Sequence, residues 1–296
     1  MRTKTGRFLS ALLLWGLILS LCGGAAVAED TESPALPEGC WEVRLYVDGL
    51  LSGRALGNYE GVWLSPEDFC ALLGQESATW WDADAGELTV SANGFLLHAL
   101  AGQETFSVNS RYFYEPGGFL IYDGRSWFPQ ADIERMFGVS LRVSSDGDRV
   151  DVKSEELSFL PGGAAWYYDN FGSAEIFWLA RIIHSEAGNQ PLAGKIGVGN
   201  VVLNRVASDR YPDEVLGVVF DDQYAVQFTP AASGSVYKEP EEADVIAACL
   251  CLEGYNTVGD SMYFVNAALA DDGWFTDTKD FVIRIGDHDF YRLRED

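Results

Sequence analysis

The sequence predicts an α+β protein, with a β-rich repeat domain over residues 41–154 and a mainly helical domain with a small β element over residues 169–296. Three observations lead to this prediction. Short apolar–polar alternations separated by Gly/Asp turns fill the first region, which is typical of strands. That region also repeats itself internally. Beyond it, apolar residues recur at three and four positions, which is the spacing of amphipathic helices.

The first 28 residues are predicted to be a secretory signal peptide. Three basic residues lie within the first seven, an apolar run from Phe8 to Cys22 follows, and Ala26-Val27-Ala28 provides a small-x-small cleavage site. The run is short for a membrane span, which needs about 20 residues. We therefore expect a secreted, extracytoplasmic protein with no integral membrane segment after cleavage, beginning with an acidic leader over residues 29–40. An uncleaved anchor is the alternative.

The charge of the chain excludes one class of partner. The formal net charge is -25, and removing the signal peptide with its three basic residues takes it to -28. So acidic a surface repels phosphate backbones, and we expect no nucleic-acid partner.

Four cysteines remain in the mature chain: Cys40, Cys70, Cys249 and Cys251. Cys249 and Cys251 are two apart on a predicted helix and point in different directions, so we do not expect them to pair. A Cys40–Cys70 disulfide would suit an oxidising compartment, and the sequence leaves it open. No cysteine cluster has metal-ligand spacing, and we expect no metal and no cofactor.

The β-rich region contains two copies of one pattern. Trp63-Leu64-Ser65-Pro66 begins an apolar stretch that leads into a hairpin, and Trp127-Phe128-Pro129 does the same 64 residues later. Val47-Asp48-Gly49 corresponds in the same way to Val108-Asn109-Ser110. Two copies of strand, short helix and hairpin predict one pseudo-symmetric α+β domain. The region resembles the copper amine oxidase N-terminal-like domain of Gram-positive surface proteins. We predict no copper there, because His98 is its one histidine, and we expect a spacer or wall-associating role.

The second region begins after a predicted linker over residues 155–168. Ser173 is predicted to cap a helix that ends at Ala187, before Gly188. The remaining predicted elements are helices from Pro191 to about Ser208, from Pro212 to about Asp221 and from Pro240 to about Gly254, and strands over residues 261–265, 281–285 and 288–291.

Glu186 lies beside the apolar stripe of the first of these helices. The stripe comprises Ile176, Leu179, Ala180, Ile183 and Ala187. Partial burial raises the pKa of a carboxyl group, and the negative end of a helix dipole adds to the effect. A carboxylic acid that is protonated near neutral pH can donate its proton to a glycosidic oxygen. Periodicity alone favours a structural role, in which Glu186 is solvated or paired with Lys195 or Arg181.

Four sequence blocks, in order, resemble the SleB-type cell wall hydrolases, a family that includes spore cortex-lytic enzymes. The blocks are residues 182–206 (Ile-Ile-His-Ser-Glu-Ala-Gly-Asn-Gln-Pro and, further on, Val-Val-Leu-Asn-Arg-Val), 227–230 (Gln-Phe-Thr-Pro), 263–266 (Tyr-Phe-Val-Asn) and 285–291 (Ile-Gly-Asp-His-Asp-Phe-Tyr). The resemblance covers about residues 172–292. It implies a lysozyme-like fold, lytic transglycosylase activity on peptidoglycan glycan strands, and Glu186 as the catalytic residue.

One carboxylate suffices for this reaction because the sugar supplies the nucleophile. On this interpretation Glu186 protonates the leaving oxygen of the MurNAc–GlcNAc bond and then accepts the proton of the C6 hydroxyl, which closes a 1,6-anhydro ring. The candidate sugar-binding residues are Gln227, Tyr263, Asn266 and His288 through polar groups and Trp274 through its ring. Asp209, Asp213, Asp271 and Asp272 are candidate second carboxylates, so simple hydrolysis stays open.

Two other functions stay open as well. An N-acetylmuramoyl-L-alanine amidase would need a metal or a nucleophile that the sequence does not reveal. A non-catalytic wall-binding protein would need no acid at Glu186. The sequence also departs from the family, because Asn266 is followed by Ala267-Ala268 where Asn-Pro is common, and a β-rich domain replaces the usual helical peptidoglycan-binding domain. A role in germination therefore rests on the second domain alone, and general wall remodelling is equally open. We expect a monomer.

Overall fold

The computed structural model describes residues 34–222, 228–268 and 278–294. The predicted signal peptide lies outside the described residues, as do Gln227 and Trp274. The described residues from Leu36 onward form one compact unit. Among the helices that the structure describes, none combines the length and the apolar composition of a membrane span.

The predicted α+β class is confirmed, with strands dominating the first part of the unit and helices the second. The elements of the first part are β1 (Trp41–Val47), β2 (Leu50–Asn58), β3 (Gly61–Leu64), α1 (Pro66–Leu72), β4 (Ala78–Asp82), β5 (Glu87–Ala92), β6 (Phe95–Leu100), β7 (Thr105–Val108), β8 (Arg111–Tyr114), β9 (Leu120–Tyr122), β10 (Arg125–Pro129), α2 (Gln130–Met136), β11 (Arg142–Val143) and β12 (Arg149–Val152). They form one sheet in the order β11-β12-β1-β2-β3-β10-β9 and another in the order β4-β5-β6-β7-β8.

Two pairs of segments that correspond in the sequence repeat can be compared in the structure. The equivalent strands β3 and β10 pair with each other in antiparallel fashion, with Leu64 opposite Phe128. The two equivalent turns share an unusual backbone, since Asp48 and Asn109 have φ angles of 50° and 51°. Asp and Asn tolerate this left-handed region better than most residues, which explains their use at these turns. The core between the sheets is apolar and includes Phe69, Phe95, Phe113 and Phe128.

The second part consists of five α-helices and a small sheet within the described ranges. Its elements are α3 (Gly163–Ala187), α4 (Leu192–Val206), α5 (Val215–Val219), α6 (Thr229–Ser233), α7 (Glu242–Leu252), β13 (Tyr263–Asn266), β14 (Lys279–Ile285) and β15 (His288–Leu293). The sheet order is β13-β15-β14. The predicted order of helices followed by strands is confirmed, although α5 begins at Val215 and not at Pro212.

The predicted start of the first helix at Ser173 is wrong, because α3 begins ten residues earlier, at Gly163. The Pro161-Gly162-Gly163 sequence is typical of a linker, but Gly163 packs directly against the β-rich part. Its backbone N–H donates to the Asn109 carbonyl at 2.7 Å. A Cβ atom at position 163 would lie 2.1 Å from the Ser110 carbonyl oxygen, so the contact requires glycine.

A buried ion-pair cluster joins the two parts. Glu253 follows α7, and its side chain is only 1% exposed. Arg111 of β8 donates to both of its carboxylate oxygens, at 2.8 and 2.6 Å. Arg135 of α2 adds a bond of 2.5 Å to the same carboxylate. The Arg111 guanidinium also lies 3.6 Å from the ring centroid of Trp166 on α3. The early start of α3 therefore places Trp166 in this cluster.

The four described cysteines are free thiols. The Cys40–Cys70 disulfide that the sequence left open is not formed. Cys249 and Cys251 do not pair with each other, as predicted, and the Cys251 thiol instead donates to the Ile196 carbonyl at 3.3 Å.

Asp132 on α2 should make stability depend on pH. Its side chain is 5% exposed and its Oδ2 atom has no hydrogen-bond partner. Burial raises its pKa from 3.8 to about 8, and nearby Glu115 adds to the rise. A raised carboxyl pKa gives a stabilising contribution that is complete below the unfolded-state pKa and is lost as pH rises through the folded-state pKa.

We therefore expect Asp132→Asn to raise the melting temperature relative to the wild type at pH 8, and the difference to shrink toward pH 4. Thermal unfolding at several pH values measures this. If the melting temperatures of the two proteins differ by the same amount at every pH, Asp132 is not a buried acid with a raised pKa.

Candidate functional site

Glu186 is the penultimate residue of α3. Leu179, Ala180, Ile183 and Ala187 of the predicted apolar stripe are all buried, and the Glu186 side chain beside them is half-buried. Helix α3 packs against α4, α5 and α7 along this stripe. The local sequence pattern therefore places the carboxyl group at the margin of the helical core.

The Glu186 carboxyl forms no hydrogen bond or ion pair with any residue that the structure describes. The two basic residues considered as partners are engaged elsewhere. Lys195 binds Asp244, and Arg181 donates to the carbonyl of Tyr237 at 2.9 Å. Burial raises the pKa of Glu186 from 4.5 to about 7, and Arg205 acts in the opposite direction. Near neutral pH a large share of Glu186 is therefore a protonated acid.

A buried charge cluster fixes the end of α3. Asp244 of α7 is fully buried and accepts hydrogen bonds from Lys195 of α4 at 2.5 Å and from the backbone N–H of Glu241 at 2.9 Å. The Nδ1 atom of His184 lies 2.7 Å from the Oδ2 atom of Asp244. Lys195 also donates to the carbonyl of Gly188, the residue that follows α3, at 2.8 Å. The backbone that carries Glu186 is thus held by α4 and α7.

Arg205 of α4 is the charged group that acts on Glu186. Its side chain is 4% exposed, and its Nε atom donates to the Met262 carbonyl at 2.9 Å. Its Nη1 atom is buried without a hydrogen-bond partner among the described residues. Sequence reasoning did not identify Arg205 as a charged neighbour of Glu186.

The turn between β14 and β15 is bound to the segment that follows Glu186. The Gln190 Oε1 atom accepts from the backbone N–H of Asp287 at 2.9 Å, and its Nε2 atom donates to the Asp287 carboxylate at 3.1 Å. Gly286 has a φ of 58°, and a Cβ atom there would lie 2.3 Å from the Gln190 Oε1 atom. The close approach requires glycine, and it connects the first and fourth sequence blocks.

The candidate sugar-binding residues that the structure describes lie on both faces of the small sheet. Tyr263 lies near Arg205, with 5.6 Å between its ring centroid and the guanidinium carbon, and its hydroxyl is 3.2 Å from that of Tyr211. Asn266 and His288 are opposite each other on β13 and β15. Since side chains alternate along a strand, Asn266 points away from the Tyr263 side of the sheet.

Asn266 and His288 have local environments of their own. The Asn266 Oδ1 atom accepts from the backbone N–H of Ala268 at 3.0 Å, which orders the turn after β13. His288 is 6% exposed, its Nδ1 atom lacks a partner in the described chain, and burial lowers its pKa. Its ring centroid is 5.2 Å from that of Phe264. Their proposed contacts with substrate remain predictions.

The candidate second carboxylates do not gather at Glu186 in the described residues. Asp209 and Asp213 are exposed, and Asp213 lines a cavity of about 310 Å³ together with Glu175 and not with Glu186. Asp271 and Asp272 lie outside the described residues. Asp221, which follows α5, acts electrostatically on Arg205 and was missed by sequence reasoning.

Cavity volume does not by itself point to Glu186. A cavity of about 660 Å³ lies in the β-rich part, where its lining includes Asp48, Arg142, Asp151 and Lys153. Its lining mixes both signs of charge and contains no residue of the helical part. This cavity therefore lies apart from the Glu186 carboxyl.

One family of known proteins matches the helical part of the chain and its small sheet. A family model described as Cell Wall Hydrolase matches residues 189–291. The match includes Gln190, Arg205 and the small sheet. It begins three residues after Glu186, so it does not itself include that residue.

Curated relatives give a consistent result. A spore cortex-lytic enzyme of Halalkalibacterium halodurans is 32% identical over 145 residues, which are 49% of this chain and 41% of the relative. A spore cortex-lytic enzyme of Bacillus subtilis is 30% identical over 131 residues, which are 44% and 39% of the two chains. The chain thus spans about two fifths of the length of these curated relatives.

Among solved structures, the catalytic domain of the germination-specific lytic transglycosylase SleB from Bacillus anthracis is 29% identical, with a TM-score of 0.38. The similarity covers 42% of this chain and 98% of that chain. The family model and the curated relatives agree on the identity of the C-terminal region. Residues 189–291 of this chain therefore match the cell wall hydrolase family, and the curated relatives are spore cortex-lytic enzymes.

Proposed function

We propose that the chain is a peptidoglycan-degrading enzyme, a lytic transglycosylase that cleaves MurNAc–GlcNAc bonds outside the cytoplasm and acts in spore cortex lysis during germination. The observation that carries the proposal is the Glu186 carboxyl, which is half-buried, has no partner among the described residues, and has a pKa raised to about 7. The family match over residues 189–291 and the relatives' names support the substrate class.

The proposed reaction uses Glu186 twice. Its carboxylic acid protonates the oxygen of the departing GlcNAc as the glycosidic bond breaks, and the N-acetyl group of MurNAc stabilises the oxocarbenium-like state. The Glu186 carboxylate then accepts the proton of the MurNAc C6 hydroxyl as its oxygen bonds to C1. Atoms and charges balance without water, since Glu186 ends the cycle protonated. A pKa near operating pH suits a group that must serve as acid and then as base.

The β-rich part is proposed to be a wall-associating domain that accompanies a lysozyme-like catalytic domain. The buried contacts of Glu253 with Arg111 and Arg135 favour a fixed arrangement of the two parts and argue against a flexible spacer. The residues proposed to read the glycan remain Gln227, Tyr263, Asn266, His288 and Trp274.

Product analysis tests the proposal. Purified protein is incubated with spore cortex and with vegetative peptidoglycan, and the soluble products are identified by mass spectrometry. We expect disaccharide-peptides with 1,6-anhydro-MurNAc ends. Free peptides with intact glycan would indicate an amidase, and binding without soluble products would indicate a wall-binding protein. Either result would overturn the proposal. Comparing the products from spore cortex with those from vegetative peptidoglycan shows which of the two is cleaved.

A further inference from the structure

Arg205 has a buried hydrogen-bond donor that no described residue pairs with. Its side chain is 4% exposed and its Nη1 atom has no partner within the described parts of the chain. Buried donors are nearly always satisfied, because leaving one unpaired costs stability. The Nη1 atom of Arg205 can therefore donate one further hydrogen bond to an acceptor that none of the described residues supplies.

The guanidinium group is held too firmly to turn toward water. Its Nε atom is tied to the Met262 carbonyl at 2.9 Å. The rings of Tyr211, Phe228 and Tyr263 surround it, with centroids 5.1, 5.0 and 5.6 Å from its central carbon. Aromatic faces favour a cation at such distances. Burial lowers the pKa of Arg205, but an arginine remains charged at physiological pH.

Glu186 is the complementary group. It has no hydrogen bond with the described residues, and Arg205 is the charged side chain that favours its ionised form. Other ionisable groups on the elements around the two residues are Arg181 and His184 on α3, Lys195 on α4, Tyr211 and Asp221 near α5, Asp244 on α7, and Tyr263, Lys279 and His288 on the small sheet. Lys195 and His184 are bound to Asp244, and Arg181 to Glu239.

We propose that Arg205 is a positioning residue for Glu186, whose free Nη1 donor binds the Glu186 carboxylate during the interval between its two proton transfers. This inference rests on the function proposed above. While Glu186 holds its proton, the neutral carboxyl has little attraction for Arg205. After the proton passes to the leaving oxygen, the guanidinium stabilises the new carboxylate and orients it toward the C6 hydroxyl.

Variants of Arg205 test this role through the pH dependence of glycan cleavage. We expect wild-type kcat/KM to fall as pH rises through about 7, when free Glu186 loses its proton. Arg205→Met removes the cation, so this fall should move to higher pH and kcat should decrease about tenfold or more, with KM about unchanged. Arg205→Lys keeps the charge, so its pH profile should lie closer to that of the wild type.

The matched control is Arg181→Met, which removes another buried arginine from the same part of the protein. The Nε atom of Arg181 is also buried without a partner among the described residues, but its other nitrogens bind the Tyr237 carbonyl and Glu239. Arg205, and not Arg181, acts electrostatically on Glu186, so the loss of Arg181 should leave the pH profile unchanged. Circular dichroism confirms that each variant is folded. A raised KM in Arg205→Met with an unshifted pH profile would show that the guanidinium binds substrate, and would overturn the proposal.

A second readout does not depend on activity. The carboxyl carbon of Glu186 can be titrated by NMR in protein labelled with 13C at glutamate side chains, and assigned by its disappearance in Glu186→Gln. We expect the Glu186 pKa to be higher in Arg205→Met than in the wild type and in Arg181→Met. If the wild type fails to cut glycan strands, the proposed function fails, while this titration still decides whether Arg205 is coupled to Glu186. Equal titration curves would refute the coupling.

Discussion

Glu186→Gln is expected to lower the rate of peptidoglycan cleavage at least about a thousandfold and to leave the fold intact. The amide keeps the shape of the side chain but cannot donate a proton to the leaving oxygen, and general acid–base catalysis contributes about 10² to 10⁴ in rate. The initial rate of turbidity loss from isolated sacculi measures the effect.

The same variant should be at least as stable as the wild type above neutral pH. The folded-state pKa of Glu186, about 7, exceeds its ordinary value of 4.5. Its stabilising contribution is therefore complete below about pH 4.5 and is lost as pH rises through about 7. We expect the melting temperature of Glu186→Gln to equal or exceed that of the wild type at pH 8.

Glu175→Gln is the matched control for both measurements. Glu175 lies on the same helix and is also partly buried, and burial raises its pKa. It lines the cavity that contains Asp213 and Glu214, and not Glu186. We expect near wild-type cleavage from this variant. If both variants lose cleavage rate to a similar extent, the loss is not specific to Glu186, and Glu186 is not the catalytic acid.

Glu253→Ala is expected to cause the largest loss of stability. The substitution leaves Arg111 and Arg135 at a buried contact without their carboxylate, and Arg111 is only 8% exposed. Breaking a buried ion pair by removing one partner costs about 3–5 kcal/mol. The free energy of unfolding from urea titration measures this cost.

The control for Glu253→Ala is Asp148→Ala in the β-rich part. Asp148 pairs with Arg44, and both side chains are about half exposed, at 48% and 52%. Exposed pairs contribute about 0–1 kcal/mol. If the two alanine variants lose equal stability, the Glu253 cluster does not join the two parts of the protein in the way that the structure indicates.

Local patterns were sufficient to predict much of the fold. The sequence comparison matched Val47-Asp48-Gly49 with Val108-Asn109-Ser110, and Asp48 and Asn109 both have a left-handed backbone conformation. The helical spacing around Ile183 predicted which face of α3 is buried, and hence a sheltered carboxyl at Glu186. These features depend on residues that are close together in the chain.

Contacts between distant residues account for what sequence reasoning missed. Arg205 and Met262 are 57 positions apart, and Lys195 and Asp244 are 49 apart. No periodicity predicts which long-range pair will form. The start of α3 was misjudged for a related reason, since Gly163 is typical of a linker in sequence but serves a close contact with Ser110 in the fold.

In the proposed reaction Glu186 acts as acid and then as base, and the sugar's own C6 hydroxyl is the nucleophile. Digestion of peptidoglycan in water enriched with 18O, followed by mass spectrometry of the products, tests it most directly. We expect 1,6-anhydro-MurNAc ends without 18O from the wild type, and no such products from Glu186→Gln. Reducing MurNAc ends that carry 18O in excess of an undigested sample kept in the same water, or unchanged products from Glu186→Gln, would contradict this mechanism.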